Sequence, residues 1–311
     1  MTPLYFVAVP AAGATVYAAP SSTATVLATV PGGSLVAVAT ASPEPAWLAV
    51  TVGGAPGWLP AAGTTKQPRL VVDASHDVTL EPDDAAAWAG VAADLRYVGV
   101  ILKASQGVTF TDPSFRVRWP AVLAAATAAG RYGQTLFRGA YHYLSFTDDP
   151  AAQVDHYLAT VAGAGGWADG DLIPIVDVER GRPPTPTHPN PNYGATAAQV
   201  EACTSTFVER VKAATGQRVM LYGRGAMEDL HITSRMNADA LWNPGYTHDM
   251  PSPARAGWAV DDVALWQYTD GTVDVARFPV TAPGLPAIDQ SVAIPDDLPT
   301  LVRMIVRAST K

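Results

Sequence analysis

Cysteine is almost absent from this sequence, because Cys203 is the only one among 311 residues. A single cysteine cannot form a disulfide within the chain, so packing alone must stabilise the fold. A catalytic thiol needs an activating partner, and no paired histidine is suggested near Cys203. We therefore expect Cys203 to be a core residue.

Charged residues are also scarce, at 15% of the chain, and the net charge is -8. The sequence contains no run of Lys or Arg that could neutralise phosphates, so nucleic acid is not an expected partner. The 48% of hydrophobic residues exclude a disordered chain and supply ample material for a core. The six histidines show no short metal-ligand spacing, and we expect neither a metal nor a cofactor.

Long hydrophobic runs are missing as well. No stretch of about 20 uninterrupted apolar residues is present, so membrane insertion is not expected. The first residues lack the basic region and the continuous apolar segment of a signal peptide. The expected protein is made in the cytoplasm, and it would reach an external target by lysis, holin-type release or injection.

Short β-type segments fill the first 60 residues, and turn residues such as Pro31-Gly32-Gly33 and Gly53-Gly54 separate them about every ten residues. This pattern predicts a small all-β barrel. The segment resembles a bacterial SH3-like domain in Val16-Tyr17-Ala18, Trp47-Leu48-Ala49-Val50 and Gly57-Trp58-Leu59. The resemblance implies binding of cell-wall peptide or glycan, whereas Trp47 and Trp58 could equally be core residues of a packing module.

A change of pattern divides the chain into two predicted domains. We assign residues 1–62 to the SH3-like barrel and residues 63–69, which are small, polar and lack periodicity, to a linker. Residues 70–311 form the second domain. Within it, strand-like segments alternate with helical ones, which predicts an α/β fold, an irregular TIM-like (β/α) barrel with shorter helices in its second half.

One predicted helix has clear end signals. Thr196 and Gln199 have the spacing of a capping box, and the helix that follows carries an apolar stripe that includes Cys203 and Phe207.

The segment Ile173–Glu179 is an apolar run that ends in two carboxylates. Side chains alternate between the faces of a strand, so Asp177 and Glu179 are expected to share one face and Val176 and Val178 the other. Barrel enzymes place their catalytic groups at the carboxyl ends of strands. Taken alone, the pair could also be two solvated acids at a strand end.

Other polar residues lie at the predicted strand ends. Asp73 ends the first strand, Tyr141 and His142 lie on the third, and Asp289 ends the last. If the strands close into a barrel, four acids crowd one mouth, and repulsion and burial raise at least one pKa. A protonated carboxyl group beside negative charge is what cleavage of a glycosidic bond requires. The candidate sugar-binding aromatics are Tyr141, Tyr143, Trp242, Tyr246, Trp266 and Tyr268.

From Leu70 to about Ile294 the sequence resembles family 25 glycoside hydrolases, the lysozyme-like muramidases of bacteria, fungi and phages. Matching motifs occur in the family's order. They are Val72-Asp73-Ala74-Ser75-His76, Ile101-Leu102-Lys103-Ala104-Ser105-Gln106-Gly107, Asp112-Pro113-Ser114-Phe115, Gly139-Ala140-Tyr141-His142-Tyr143, Asp177-Val178-Glu179, Leu265-Trp266-Gln267-Tyr268 and Ile288-Asp289.

The resemblance implies a peptidoglycan hydrolase that cleaves the β-1,4 bond between N-acetylmuramic acid and N-acetylglucosamine. Glu179 would be the general acid and later the base, and Asp177 would orient a substrate N-acetyl group that attacks internally, which gives retention. Asp73 and Asp289 would position the substrate and tune charge. Lys103, Gln106 and His142 are further candidates for substrate binding, although Lys103 could equally be a surface lysine.

Three features depart from the family pattern. Gln106 stands where the family usually has Glu, so the mouth lacks one carboxylate. The segment Trp242–Tyr246 departs from the usual W-x-A-x-Y spacing. The segment Arg180–Tyr193, with five prolines, is expected to form a stiff rim of the site.

Two alternatives compete with the muramidase hypothesis. The first is a non-catalytic wall-binding or structural component of a phage tail or contractile injection device. The four acids disfavour it, because loss of function would then require a blocked groove. The second is a chitinase-like enzyme, which the absence of a D-x-x-D-x-D-x-E signature disfavours.

Overall fold

The computed structural model of the chain describes residues 3–79, 84–185, 190–273 and 278–308. The chain forms two compact units. The first contains the chain up to Arg69 together with Asp296–Val302, a segment that the predicted domain boundaries did not assign to it. The second contains Leu70–Pro295 and the residues from Arg303 onward. Among the described residues, no helix has the length and apolar character needed to cross a bilayer.

The first unit is an antiparallel sheet of seven strands in the order β3-β2-β6-β5-β4-β1-β7. Its core consists mainly of valines, whose branched side chains suit a half-buried strand. The predicted linker contains the last strand, which pairs with the first. The strands are β1 (Tyr5–Ala8), β2 (Ala14–Tyr17), β3 (Val26–Val30), β4 (Leu35–Thr40), β5 (Trp47–Val52), β6 (Ala55–Pro60) and β7 (Thr65–Lys66).

The second unit contains a closed barrel of eight strands, so the predicted β/α barrel is present. Closure follows from the first barrel strand, β8, which pairs both with β9 and with β16. The strands are β8 (Leu70–Ala74), β9 (Tyr97–Gln106), β10 (Phe110–Thr111), β11 (Phe137–Tyr143), β12 (Ile175–Asp177), β13 (Met220–Tyr222), β14 (Ala240–Pro244), β15 (Val263–Thr269) and β16 (Asp289–Ala293). The short β10 forms a hairpin with β9 outside the closed ring.

The barrel is irregular in the direction of its last strand. Successive pairs from β8 through β9 and β11 to β15 are parallel, whereas β16 is antiparallel to both of its neighbours. The amino end of β16 therefore lies at the same mouth as the carboxyl ends of the other seven strands.

The helices that follow β13 are short, at 5 and 8 residues, as the sequence predicted for the second half of the barrel. The helices are α1 (Asp84–Ala93), α2 (Phe115–Ala128), α3 (Pro150–Gly163), α4 (Ala197–Thr215), α5 (Gly225–Asp229) and α6 (Leu298–Ile305). Two short 3-10 helices, Pro253–Ala256 and Val260–Asp262, occupy the connection between β14 and β15. A third, Pro191–Gly194, precedes α4.

Helix α4 shows how the sequence determines local structure. Thr196 and Gln199 form the predicted capping box, in which each side chain bonds to the other's backbone N–H group. The helix ends at Gly216, whose φ of 64° is the left-handed conformation that glycine adopts without strain. Its apolar stripe, including Cys203 and Phe207, is buried in the core of the barrel unit, so the prediction that Cys203 is a core residue is confirmed.

A buried ion pair lies at the end of the barrel opposite the mouth. Arg138, at the start of β11, contacts Asp171 through Nη2–Oδ2 and Nε–Oδ1 distances of 2.8 and 2.9 Å. Tyr132 and the backbone of Ala168 also donate hydrogen bonds to Asp171. The Arg138 guanidinium stacks on the Trp119 ring at 3.6 Å. These bonds satisfy the Asp171 carboxylate, and Arg138 Nη1 donates to the carbonyl of Trp119 at 2.8 Å, so the pair is structural.

Candidate active site

A cavity of about 150 Å³ lies at the mouth of the barrel. Seven of the lining residues belong to barrel strands that end or begin there, and the other two follow such strands. The lining residues are Asp73, Tyr141, Asp177, Glu179, Tyr222, Trp242, Tyr246, Gln267 and Asp289. The four carboxylates that the sequence singled out therefore meet in one cavity.

The alternation predicted for the segment Ile175–Glu179 is present. Val176 and Val178 are fully buried in the core, while Asp177 and Glu179 both line the cavity. Strand β12 ends at Asp177, so Glu179 lies just beyond the sheet and is partly exposed, whereas Asp177 is 6% exposed. The Oδ1 atom of Asp177 is buried and has no hydrogen-bond partner among the described residues. This oxygen is free to accept a hydrogen bond from a ligand.

Burial raises the pKa of all four carboxyl groups. The pKa of Asp177 lies well above its usual range because of burial and then the charge of Glu179. Burial and then the charge of Asp289 do the same to the pKa of Asp73. Burial and the charge of Asp270 raise the pKa of Asp289 to about 7. Burial raises the pKa of Glu179 too, and Lys103 partly offsets this increase. The mouth can therefore hold protonated carboxyl groups near neutral pH.

Asp289 reaches the mouth in a way that the sequence did not reveal. It was predicted to end the last strand, but it begins β16. Because β16 is antiparallel, its first residue lies opposite Asp73 on β8. The position at the mouth was therefore predicted correctly, although the predicted direction of the strand was wrong.

Gln267 connects the acids to two tyrosines and was missed as a site residue. Its Nε2 donates to the two carboxylate oxygens of Asp73 at 3.2 and 3.1 Å, while its Oε1 accepts from the hydroxyls of Tyr222 at 2.7 Å and Tyr246 at 3.1 Å. Tyr222 was missed as well. The alternation of side chains along β15 could have revealed Gln267. It lies between Trp266 and Tyr268, so its side chain is on the face opposite to theirs.

Lys103 lies beside the mouth rather than on the outer surface. Its Nζ donates to Gln106 Oε1 at 2.9 Å and lies 5.1 Å from the centre of the Tyr143 ring. Its charge lowers the pKa of both Asp177 and Glu179, against the larger effect of burial. Because Gln106 is neutral, it holds this ammonium group without cancelling its charge.

Five predicted substrate-binding residues do not line the cavity: Lys103 and Gln106 lie beside it, and His142, Trp266 and Tyr268 are directed away from it. His142 is fully buried on the outer face of β11, since its neighbour Tyr141 faces inward; it bonds to Ser105 and Gln153 and stacks on Phe207. Burial lowers the pKa of His142 to about 3, so the ring is neutral.

Trp266 and Tyr268 were also predicted to bind substrate, and the alternation of side chains along β15 directs both away from the cavity. They flank the inward-facing Gln267 and therefore point into the core. The Trp266 indole donates to the carbonyl of Gly245 at 2.8 Å, and the Tyr268 hydroxyl donates to that of Pro279 at 2.7 Å. Both polar groups are thus bonded within the protein.

Three of the predicted aromatics line the cavity, whereas Tyr143 lines a neighbouring one. Tyr141 is half-buried there. Trp242 is 2% exposed, and its indole donates to Ser291 Oγ at 2.8 Å, so it forms a fixed wall. Tyr246 is 39% exposed at the rim, where its ring is accessible to a ligand.

The proline-rich segment after Glu179 is attached to the mouth at both described ends. Asn190 donates to the carbonyls of Arg180 and Arg182, and Asn192 donates to those of Leu144 and Glu179. Residues 186–189, on which part of the predicted rim falls, lie outside the described residues. Within the described part of the chain, no group of three or more His, Cys, Asp or Glu residues is arranged to hold a metal ion.

Comparisons with known proteins agree with this geometry. The model of the glycosyl hydrolases family 25 matches residues 83–275, which is more than half of the chain. The chain is also similar to the N,O-diacetylmuramidase of a Chalaropsis species. The two are 31% identical over 179 residues, which cover 55% of this chain and 76% of that protein.

Solved structures share the fold. A bacterial lysozyme from Streptomyces coelicolor has a TM-score of 0.56 and 17% identity, with 76% of this chain and 96% of that chain covered. A family 25 lysozyme from Aspergillus fumigatus has a TM-score of 0.55 and 18% identity, with 76% and 99% covered. The family model and the related muramidase together lead to one conclusion: the chain belongs to family 25 of the glycosyl hydrolases.

Proposed function

We propose that this protein is an N-acetylmuramidase, a lysozyme that cleaves the β-1,4 bond between N-acetylmuramic acid and N-acetylglucosamine in bacterial peptidoglycan. Family membership and the related N,O-diacetylmuramidase support the activity. The observation that carries the proposal is the meeting of four carboxyl groups with raised pKa values in one cavity. Such a site supplies both a proton donor and negative charge, as glycosidic cleavage requires.

Glu179 is the general acid in this proposal. It is the more exposed member of the D-x-E pair, so its proton can reach a glycosidic oxygen, and burial keeps it protonated to higher pH than an ordinary glutamate. The proton moves from the Glu179 carboxyl group to the leaving oxygen as the bond to the anomeric carbon breaks. The resulting carboxylate then takes a proton from the water that completes hydrolysis.

Asp177 assists the substrate rather than forming a covalent bond. It is too near Glu179 in sequence to oppose it across the sugar as an ordinary nucleophile. Its unpartnered Oδ1 is suited to accept a hydrogen bond from the acetamido N–H group of the substrate. The acetamido carbonyl oxygen then attacks the anomeric carbon, and the later attack of water reopens this ring. Two displacements give retention of the anomeric configuration.

Asp73 and Asp289 position the substrate and tune the charge of the mouth. Their side chains are hydrogen-bonded to each other, and Gln267 donates to Asp73. Two adjacent carboxyl groups that share a proton keep the cavity from accumulating four negative charges.

The N-terminal unit is proposed to be an SH3-like module that binds cell-wall peptide or glycan. In support, Tyr17 and Trp47 form an edge-to-face pair with ring centres 5.6 Å apart, and both rings are only half-buried. For delivery, we propose synthesis in the cytoplasm followed by lysis, holin-type release or injection, with phage or contractile-injection components as partners.

The test is muropeptide analysis of purified peptidoglycan after incubation with the wild type, with Glu179→Gln and with Glu201→Gln as a matched control outside the cavity. The wild type and the control should release reducing muramic-acid ends, and Glu179→Gln should not. If the wild type and Glu179→Gln give the same profile without reducing muramic-acid ends, the proposed enzymatic activity is contradicted. An initially inverted anomer in the wild-type digest would contradict the role of Asp177 alone.

A further inference from the structure

Asn192 connects the proposed general acid to the scaffold of the barrel mouth. It lies in the 3-10 helix Pro191–Gly194 that precedes α4, and it is 2% exposed. It is not among the residues that line the catalytic cavity. Its Nδ2 instead donates to the backbone carbonyl of Glu179 at 3.1 Å. Asn192 therefore acts on the acid through the backbone rather than through the carboxyl group.

Glu179 needs support from outside the sheet. Strand β12 ends two residues earlier, at Asp177. The connection between β11 and β12 continues with a bond from the N–H group of Leu144 to the carbonyl of Asp177, at 3.0 Å. Beyond that bond the amide of Asn192 lies between the two chains, since it donates to the carbonyl of Leu144 at 2.7 Å as well as to that of Glu179. The side-chain amide thus continues the connection past the end of the strand.

Both ends of the Asn192 amide are engaged. Besides the two bonds that Nδ2 donates, Oδ1 accepts from the backbone N–H group of Phe146 at 2.8 Å. A side-chain amide has two donor hydrogens and one carbonyl oxygen, so the three bonds use both hydrogens and the oxygen. A buried amide that rotated away would leave these backbone groups without partners, which is costly. The side chain is therefore fixed.

The backbone of Asn192 is attached to a rigid element. Its N–H group donates to Asn190 Oδ1 at 3.1 Å, and its carbonyl accepts from the N–H group of Ala195 at 3.2 Å. The capped helix α4 begins just beyond, and its apolar stripe is buried in the core. The amide thus connects a long helix to the backbone of the acid, which is how supporting residues keep a catalytic group in place.

Two further contacts join the same segments. The Tyr143 hydroxyl donates to the Glu179 carbonyl at 3.4 Å, which is longer than the roughly 2.7–2.8 Å of an ordinary O–H···O bond. Arg180, directly after the acid, donates from Nε to the carbonyl of Tyr193 at 3.1 Å. Of the two side chains that bond to the Glu179 carbonyl, Asn192 forms the shorter bond.

The position of the acid matters because proton transfer works only at short range. A proton donor has to come within about 2.6–3.2 Å of the oxygen that receives the proton. A displacement of about 1 Å costs about 100-fold in rate. Burial also raises the pKa of Glu179. A looser segment would admit water and lower that pKa toward the ordinary value of a glutamate.

We propose that Asn192 is a positioning residue for proton donation, which holds the Glu179 carboxyl group at the glycosidic oxygen by fixing the backbone carbonyl of Glu179. This inference rests on the proposed muramidase function and names a residue outside the cavity on which the acid depends. The competing role is purely structural, in which loss of Asn192 weakens every function of the mouth alike.

The experiment uses the full chain and two substrates that differ in their need for a proton. One is peptide-free glycan, whose sugar leaving group must be protonated. The other is the para-nitrophenyl β-glycoside of N-acetylglucosaminyl-N-acetylmuramic acid, whose nitrophenolate leaves without a proton. Asn192→Ala should lower kcat/KM about 100-fold on glycan but less than about threefold on the nitrophenyl glycoside, because only the first substrate needs the acid in place.

Gln153→Ala is the matched control, because Gln153 is also a fully buried amide that holds the loop after β11. Its Oε1 accepts from the N–H group of Ser145 at 2.8 Å, and its Nε2 donates to the carbonyl of Ser145 at 2.9 Å. Neither bond involves Glu179, so kcat/KM on both substrates should stay within about twofold of the wild type. If Asn192→Ala does not fold, Asn192→Ser takes its place, because the hydroxyl keeps a polar group in the buried space but is one bond shorter than the amide nitrogen.

An equal loss on the two substrates, or a loss on glycan no larger than that of Gln153→Ala, would overturn the inference. Titration of the Glu179 carboxyl group, followed by NMR of labelled carboxyl carbons and assigned with Glu179→Gln, decides it without turnover. The pKa of Glu179 should fall toward the ordinary value in Asn192→Ala and stay unchanged in Gln153→Ala, while Asp177 and Lys103 are present in both. The same pKa in both variants would overturn the inference. If the wild type cleaves neither substrate, the proposed function fails, while the titration still decides whether Asn192 positions Glu179.

Discussion

Asp73 and Asp289 lie directly opposite each other on the antiparallel strands β8 and β16, and their side chains are hydrogen-bonded across the barrel mouth. The two acids come from opposite ends of the barrel sequence. Placing them in register brings like charges together inside a buried cavity, a costly arrangement that persists only because protons are retained there.

Replacing Asp289 by Asn should stabilise the fold at alkaline pH. The pKa of Asp289 rises from 3.8 to about 7, so its contribution to stability is fully present below pH 3.8 and is lost as the pH rises through 7. The difference corresponds to roughly 4 kcal/mol, and partial solvent exposure reduces it to about 2 kcal/mol. Urea unfolding should show Asp289→Asn more stable than the wild type by about 2 kcal/mol near pH 8 and equal near pH 3.5.

The control for this prediction is Asp261→Asn, which removes an exposed carboxylate away from the mouth. It should leave the difference between the two pH values unchanged. A wild type that is as stable as Asp289→Asn near pH 8 would mean that Asp289 ionises in the folded protein without cost.

Replacing Gln106 by Glu should move the alkaline limb of activity to higher pH. A carboxylate at this position pairs with Lys103 and weakens the effect by which Lys103 lowers the pKa of Glu179. A general acid with a higher pKa stays protonated to higher pH, so the limb should rise by about half to one pH unit.

The matched variant is Gln106→Met, which has a similar length and adds no charge. Its alkaline limb should stay within about 0.2 pH units of the wild type, a shift worth under about 0.3 kcal/mol. The measurement is kcat against pH on soluble glycan. A limb that moves equally in both variants would show that the hydrogen bond, rather than the charge, matters.

Replacing Asp171 by Asn should destabilise the protein without affecting the active site. The change leaves the buried Arg138 guanidinium without its counter-charge, which costs about 3–5 kcal/mol. The pair lies at the opposite end of the barrel from the cavity, so kcat at a temperature where the variant is folded should match the wild type.

Urea unfolding of Asp171→Asn beside Asp169→Asn measures this cost, because Asp169 is exposed and only two residues away. Asp169→Asn should change the free energy of unfolding by under about 0.5 kcal/mol. Equal stability of the two variants would show that Arg138 is accommodated by its contacts to Trp119 alone.

The barrel strands could be predicted because they are buried on both faces. A continuous apolar run such as Ile173–Val176 marks a strand of this kind, and alternation then places Asp177 and Glu179 together. The direction of β16 could not be predicted, since antiparallel pairing with β8 depends on how the ring closes. The position of Asp289 was therefore right for an incorrect reason.

The errors among the aromatic and histidine residues have one physical origin. A matching motif includes every residue of a segment, so all of its polar and aromatic residues become candidates. In a strand, however, only every second side chain faces the mouth. Applied to β15, it would have selected Gln267 and rejected Trp266 and Tyr268. The cavity of about 330 Å³ beside the turn between β9 and β10 could not be predicted from the sequence. Its sides come from this turn and from loops distant in the sequence, and tertiary packing brings them together.

The place of β16 as the last barrel strand in the sequence also determines when the barrel can become functional during synthesis. Every other barrel strand can pair with an earlier neighbour as it emerges, but β8 acquires its second partner only when the segment Asp289–Ala293 is complete. Pairing between such distant segments is slow because a long loop must close first. Asp73 therefore lacks its acidic partner until β16 has been synthesised, and the mouth is completed by the last strand of the barrel.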